Sequence, residues 1–181
     1  GIVSRLVDQK GFDIIAQAMG ELMDMDIQLV VLGTGEAKYE EMFRQNAWFH
    51  PDKLSANITF SDEMAHKIYA ASDILLMPSM FEPCGLSQMI AMTYGTIPLV
   101  RETGGLKDTV QPFNEFTGEG NGFSFWPYRA HDMLYTLRLA LKFFAQKETW
   151  VPLMKRAMKM DFSWGSSAEQ YSELYEKLLE S

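Results

Sequence analysis

Short apolar runs and longer segments with a helical spacing of apolar residues alternate along the chain. The apolar runs predict six strands, over residues 2–6, 28–32, 57–60, 74–77, 97–100 and 122–125. The helical spacing predicts intervening helices over residues 12–23, about 37–46, 63–71 and about 85–94. Strands that alternate with helices indicate βαβ units, so we predict an α/β fold: a Rossmann-like parallel sheet flanked by helices.

Further helices are predicted to close the chain after a Gly- and Asn-rich loop at residues 114–122. One apolar face is formed by Leu134, Leu137, Leu141 and Phe144. A second face is formed by Ala168, Tyr171, Leu174, Tyr175 and Leu178. Ser166 and Glu169 match a capping box, in which each side chain accepts a hydrogen bond from a free backbone N–H, so the final helix is expected to begin there.

Composition excludes several classes of function. The chain has 181 residues and is 47% hydrophobic and 22% charged, which is ordinary for a globular domain with one full core. No apolar run approaches the roughly 20 residues of a membrane span. A net charge of −8 argues against a nucleic-acid partner, which needs a basic face. The single cysteine excludes an internal disulfide and favours a reducing cytoplasm.

The segment over residues 78–105 contains the densest candidate chemistry. A Pro-rich turn holds Glu82 and the only cysteine, Cys84, directly before a predicted helix. A short apolar strand then leads into the Gly104–Gly105 turn and another helix. Both helix N-termini are predicted to open towards one place, where free N–H groups and the helix dipoles attract anions. This arrangement predicts a site for a phosphorylated sugar.

Arg5 and Lys10 are predicted at the same edge of the sheet, after the first strand and before the first helix. In open parallel sheets, ligands bind beyond the carboxyl ends of the strands. A guanidinium and an ammonium at this spacing can converge on one anion. The alternative is that both are ordinary surface residues beside a loop.

Five blocks of the sequence occur in the order of a known family: residues 4–13, 66–88, 94–110, 121–125 and 161–164. They resemble the donor-binding half of bacterial glycogen synthases and plant starch synthases, which form glycosyltransferase family five and have the GT-B fold. The resemblance implies that residues 1–181 form the C-terminal, nucleotide-sugar-binding domain. The chain opens within a predicted strand and without Met, so we expect an N-terminal acceptor domain to lie outside this sequence.

The resemblance also implies a role for each candidate residue. Arg5 and Lys10 would stabilise the departing diphosphate, and Glu82 would hold the glucose or stabilise charge at its anomeric carbon. Backbone N–H groups of Cys84, Gly85 and Leu86 would donate to sugar hydroxyls, with Gln88 as a weaker contact. The remaining candidates are Thr103, Gly104 and Gly105 around the distal phosphate and Gly33, Thr34 and Gly35 at the floor of the nucleoside pocket.

Several alternatives stay open at this point. Phe60 either stacks on the adenine, where the family often has an aromatic residue, or is a core aromatic at a strand end. Glu82 could instead cap the following helix. Cys84 could be a nucleophile because it precedes a helix N-terminus, but no histidine is near it in sequence, so packing beside the sugar is favoured.

Two other enzyme classes are disfavoured by the residues. The broader GT-B group has a second carboxylate eight residues after the glutamate; here that position is Ile90, so a two-carboxylate hydrolase lacks its second group. Lys38 occupies the third glycine position of a GxGxxG pattern, which argues against a nicotinamide-binding enzyme. The family transfers glucose without a divalent cation, so we expect no metal and no cofactor.

The resemblance therefore predicts transfer of glucose from ADP-glucose to the non-reducing end of an α-1,4-glucan, with retention of configuration. The acceptor glucan would bind through the N-terminal domain. Two alternatives remain: a related retaining glucosyltransferase that uses UDP-glucose, and a non-catalytic nucleotide- or glucan-binding module. The expected location is the cytoplasm, or a plastid for a plant-type source.

Overall fold

The computed structural model describes residues 1–179. Six strands are present: β1 (Ile2–Val3), β2 (Leu29–Leu32), β3 (Leu54–Asn57), β4 (Ile74–Met77), β5 (Ile97–Arg101) and β6 (Phe123–Phe125). The helices are α1 (Phe12–Asp24), α2 (Ala37–Phe49), α3 (Asp62–Ala71), α4 (Ser87–Thr93), α5 (Gly104–Thr109), α6 (Ala130–Phe144), α7 (Lys147–Ala157) and α8 (Trp164–Leu179), and a 3-10 turn spans Asp8–Lys10.

All strand pairs are parallel, and the strands form two three-stranded sheets in the orders β1-β2-β3 and β4-β5-β6. The two sheets meet at Gly1, whose nitrogen donates to the Ile74 carbonyl at 2.6 Å. The Leu76 N–H donates in turn to the Gly1 carbonyl at 2.9 Å. The strand order across the molecule is therefore 3-2-1-4-5-6, and it reverses direction between β1 and β4.

Helices cover both faces of the sheet. The larger core combines α1, α2, α6 and α7 with the strands, and its fully buried side chains include Phe12, Phe43, Leu99 and Met133. A smaller cluster on α3, α4 and β4 is formed by Tyr69, Leu75 and Ala91. These layers confirm the predicted α/β class with a parallel sheet flanked by helices.

Three predicted strand or helix boundaries were wrong. The third strand spans Leu54–Asn57 rather than residues 57–60; β3 pairs only with β2, and its exposed Ser55 interrupts the apolar run that would have marked it. The first strand ends at Val3, and the chain bends at Ser4 before a single bridge between Leu6 and Gly35. Helix α4 begins at Ser87 rather than Gly85, since Gly85 has a left-handed φ of 75°.

The predicted capping box at Ser166 and Glu169 was also wrong. Helix α8 already begins at Trp164, which places Ser166 inside its first turn. Ser163 precedes the helix, and its hydroxyl accepts the Ser166 N–H at 3.3 Å. The helix is therefore capped three residues earlier than predicted.

Helix α8 has no buried residue among its described positions, so the apolar face predicted from Ala168 to Leu178 is exposed. By contrast, the face predicted on α6 packs into the core at Leu134 and Leu137 and becomes 40% exposed at Phe144. Within residues 1–179, none of the helices has both the length and the apolar character needed to cross a membrane.

Candidate functional site

A cavity of about 320 Å³ opens where β1 and β4 end. This is the point at which the strand order reverses, so the loops after the two strands diverge and leave a crevice between them. Its walls come from both loops and from the start of α4; they include Arg5, Lys10, Pro78, Ser79, Glu82, Gly85, Leu86 and Ser87.

An ion pair between Lys10 Nζ and Glu82 Oε2 crosses this cavity. Their side chains are only 16% and 10% exposed, so both charges are largely removed from water. The Ser79 hydroxyl donates to the same Glu82 oxygen at 3.4 Å. Because a buried carboxylate needs hydrogen-bonding partners, Lys10 and Ser79 together keep Glu82 in place.

Arg5 follows the bend at the end of β1, and its side chain is exposed at the cavity. Among residues 1–179, its guanidinium has neither an ion-pair partner nor a hydrogen-bond acceptor. Since Lys10 and Glu82 neutralise each other, Arg5 leaves the cavity wall with net positive charge. The structure thus brings the three predicted charged residues together.

The turn that carries Lys10 is fixed from two sides. On one side, Asp8 accepts hydrogen bonds from Lys38, at 2.7 Å, and from the Tyr39 hydroxyl. These donors hold the pKa of the exposed Asp8 carboxyl below its usual value, while burial, followed by the hydrogen bond to Asp8, raises the pKa of Tyr39 to about 12. On the other side, the Gln9 carbonyl accepts the Met80 N–H at 2.9 Å.

Gly11, directly after Lys10, allows the two loops to touch. Its φ is 82°, and a Cβ there would lie 2.1 Å from the Pro78 carbonyl oxygen. Only glycine combines this conformation with such a close approach. Sequence reasoning missed Gly11 and Ser79. A glycine directly after the candidate Lys10 is a sequence signal that could have pointed to Gly11.

The loop after β4 exposes backbone donors beside the cavity. The N–H groups of Cys84, Gly85 and Leu86 have no acceptor in the part of the chain that the structure describes. They are therefore free to donate to a ligand, and their contact with sugar hydroxyls stays a prediction. The Cys84 thiol is exposed and donates to the Gly85 carbonyl at 3.6 Å; among residues 1–179 it has no hydrogen bond to a base that would activate it as a nucleophile.

Gln88 lies beneath this loop and is fully buried. Its amide nitrogen donates to the carbonyls of Cys84 at 3.2 Å and Gly85 at 3.0 Å, and to the Thr109 hydroxyl at 3.1 Å. The structure therefore does not bring Gln88 to the cavity surface as a sugar contact. It supports the loop from below instead.

Thr103, Gly104 and Gly105 lie against the same loop. A Cβ on Gly104 would meet the Glu82 carbonyl oxygen at 2.0 Å, and one on Gly105 would meet the Cys84 carbonyl oxygen at 2.2 Å. The Gly105 N–H donates to the Pro83 carbonyl at 3.1 Å, so it is not free for a phosphate. Glycine is therefore required at both positions for the loop after β5 to pack against the loop after β4.

Gly33, Thr34 and Gly35 run beside the bend that presents Arg5. A Cβ on Gly33 would lie 1.8 Å from the Ser4 carbonyl oxygen, and the Leu6 N–H donates to the Thr34 carbonyl at 2.9 Å. This segment fixes the backbone on both sides of Arg5. It lies outside the cavity walls, and its contact with a nucleoside stays a prediction.

Phe60 lies in the loop after β3, on the same edge of the sheet, and is 84% exposed. The alternative that it is a core aromatic is therefore wrong, and stacking on a base stays a prediction. Within residues 1–179, no group of three or more His, Cys, Asp or Glu side chains is arranged to hold a metal ion.

A reversal of strand order, with a cation beside it that has no partner among residues 1–179, defines an α/β domain suited to a phosphorylated ligand. Sequence comparison identifies the class: the chain belongs to the family of glycosyl transferases group 1, which it matches over residues 1–147. Among individual relatives, it is 58% identical over 179 residues to the glycogen synthase of Desulforamulus reducens. It is 60% identical over 175 residues to that of Clostridioides difficile.

Solved structures agree with this assignment. The catalytic domain of starch synthase IV from Arabidopsis thaliana, bound to ADP and acarbose, matches all of this chain with a TM-score of 0.86 and 38% identity, and the match covers 38% of that chain. The C-terminal domain of a group 1 glycosyl transferase from Francisella tularensis matches 87% of this chain, and 80% of that domain, with a TM-score of 0.64. Its 17% identity shows the shared fold alone. The predicted fold, one half of a GT-B glycosyltransferase, is confirmed.

The matches cover 99% of this chain but 37% of the Desulforamulus protein, and 97% of this chain but 36% of the Clostridioides protein. The chain thus spans little more than a third of the length of these relatives.

Proposed function

We propose that this chain is the donor-binding domain of a glycogen (starch) synthase. In the intact enzyme it would bind ADP-glucose and transfer its glucose to the non-reducing end of an α-1,4-glucan, with retention of configuration. The acceptor would bind to an N-terminal domain that is not part of this sequence. A cytoplasmic location, expected from the single cysteine, is part of this proposal.

The observation that carries the proposal is the Arg5 guanidinium, which has no partner in the described part of the chain and lies beside the Lys10–Glu82 pair at the reversal of strand order. Negative charge grows on the departing diphosphate as the bond to glucose breaks, so a fixed cation there lowers the barrier. The starch synthase that matches the whole chain carries bound ADP, which supports a nucleoside diphosphate as the group that Arg5 meets.

The free backbone N–H groups of Cys84, Gly85 and Leu86 support placing the sugar beside Glu82. Three donors that have no acceptor in residues 1–179 suit the hydroxyl oxygens of a hexose. Glu82 would accept from a further hydroxyl or stabilise positive charge at the anomeric carbon. Lys10 would then lie between the sugar and the diphosphate and stabilise both.

A transfer assay with the full-length enzyme tests the proposal. We expect extension of glycogen from radiolabelled ADP-glucose at a rate well above that from UDP-glucose. Faster transfer from UDP-glucose would favour the related glucosyltransferase. The isolated chain should bind ADP in a calorimetric titration without extending glucan; extension by this chain alone would contradict its assignment as a donor-binding part.

A further inference from the structure

Arg101, the last residue of β5, links two loops around the site without lining the cavity itself. Its Nη1 donates to the Met80 carbonyl at 2.8 Å and to the Ser79 carbonyl at 3.5 Å. Its Nε donates to the Trp126 carbonyl at 3.2 Å. One guanidinium therefore ties the loop after β4 to the loop after β6.

A second set of contacts fixes the guanidinium itself. Its central carbon lies 5.3 Å from the centre of the Tyr128 ring, a distance at which a cation is attracted to an aromatic face. The Tyr128 hydroxyl donates to Asp13 in the first turn of α1. Burial, followed by this hydrogen bond to the Asp13 carboxylate, raises the pKa of Tyr128, so the hydroxyl stays protonated and able to donate.

The two carbonyls that Arg101 holds belong to Ser79, which contacts Glu82, and to Met80, which contacts the turn that carries Lys10. Ser79 donates its hydroxyl to Glu82 Oε2 at 3.4 Å, and the Met80 N–H donates to the carbonyl of Gln9, next to Lys10, at 2.9 Å. A shift of residues 79–80 would therefore move both ends of the Lys10–Glu82 pair.

We propose that Arg101 is a positioning residue for glucosyl transfer, which acts by holding the Ser79–Met80 backbone so that Glu82 and Lys10 keep their place. The inference rests on the proposed function, because it concerns how the sugar-side carboxylate is held. Lysine cannot replace Arg101, since one ammonium does not reproduce the planar donor geometry that reaches two loops at once.

The test compares Arg101→Lys and Arg101→Gln with the parent in the full-length enzyme. Turnover, ADP affinity and melting temperature are measured for each protein. We expect kcat to fall about 10- to 100-fold, because a small displacement of reacting groups has this effect. ADP affinity should stay within about twofold, because the phosphate-side cation, Arg5, is untouched.

Arg138→Lys is the matched control. Its guanidinium donates to Glu21 at 2.6 Å on the surface, where both side chains are more than half exposed (51% and 59%), so its substitution should change none of the three quantities. If the parent and the Arg138→Lys control were both inactive with ADP-glucose, this result would contradict the proposed function and not the role of Arg101.

With an active parent, three results would overturn the proposal. Unchanged kcat in the Arg101 variants would show that the contacts do not matter for transfer. A loss of ADP affinity in proportion to kcat would make Arg101 a binding residue. A melting temperature lowered by more than about 5 °C in both variants would show a general structural role.

Discussion

Lys10 and Glu82 are distant in sequence and meet in the fold, and their pairing changes what each can do. While Glu82 accepts from Lys10, the ammonium is not available in full to a phosphate. Under the proposed function, Arg5 is then the cation that an approaching diphosphate would meet first. Lys10 would contribute to diphosphate binding only if the ligand displaced Glu82 from the ammonium or shared the ammonium with it.

Glu82→Gln is predicted to change binding and turnover in opposite directions. The substitution frees the Lys10 ammonium and removes a negative charge, so ADP should bind about three- to tenfold more tightly. Turnover should fall by about 100-fold or more, because the carboxylate proposed to lie next to the reacting carbon is lost. Calorimetry with ADP and a transfer assay on the full-length enzyme measure the two effects.

Glu63→Gln is the control for this change in net charge, since Glu63 pairs with Lys67 on an exposed helix surface at 2.6 Å. It should leave ADP affinity and turnover unchanged. Weaker ADP binding by Glu82→Gln would show that the Glu82 carboxylate and the diphosphate do not compete for the Lys10 ammonium.

At the scale of elements, the site depends on how closely the loops after β1, β4 and β5 approach one another. Gly11 touches the Pro78 carbonyl, and Gly104 and Gly105 touch the carbonyls of Glu82 and Cys84. Each contact leaves no room for a side chain. Backbone packing of these loops, rather than the side chains alone, sets the distance between the cations and Glu82.

Gly11→Ala is predicted to lower the free energy of unfolding by about 2–3 kcal/mol, because a Cβ clashes with the Pro78 oxygen and φ is left-handed. Gly20→Ala is the matched control: Gly20 lies inside α1, and a Cβ there would meet nothing within 4 Å. It should stabilise the protein by about 0.5–1 kcal/mol. Urea unfolding followed by circular dichroism measures both; equal stabilities would contradict the packing argument.

The order of strands and helices could be predicted from the sequence because buried parallel strands such as Ile74–Met77 are continuous apolar runs. The edge strand β3 was predicted at the wrong position. It pairs on one side only, and because it contains polar residues it is not a continuous apolar run that the sequence pattern could reveal. Phe60 was ambiguous for a related reason, since an apolar residue near a strand end does not reveal whether a neighbouring element covers it.

At the scale of the whole molecule, the sequence predicted which charged residues gather at the site but not how they pair. Arg5 and Lys10 are close in sequence, and their position after β1 follows from the βαβ pattern. The pairing of Lys10 with Glu82, and the links from Arg101 to Ser79 and Met80, join elements far apart in the chain. Only the reversal of strand order between β1 and β4 brings these residues together.

Strands β1 and β4 meet through backbone hydrogen bonds at Gly1, and the cavity lies at the carboxyl ends of both. The chain contributes Arg5, Lys10 and Glu82 to this cavity, and it spans about 37% of the length of the Desulforamulus relative. The proposed reaction therefore belongs to the intact enzyme, while the proposed recognition of the diphosphate can be tested on the residues of this chain.

The most direct test of the account is Arg5→Ala in the full-length enzyme, with transfer of glucose from ADP-glucose as the measurement. Arg44→Ala, which removes an exposed arginine paired with Glu40, is the control. We expect Arg5→Ala to lower turnover about 100- to 1,000-fold with the fold intact, because the charge on the leaving diphosphate is then unmatched, and Arg44→Ala to match the parent. Turnover of Arg5→Ala within a few-fold of the parent would contradict the assignment of this cavity as the diphosphate site.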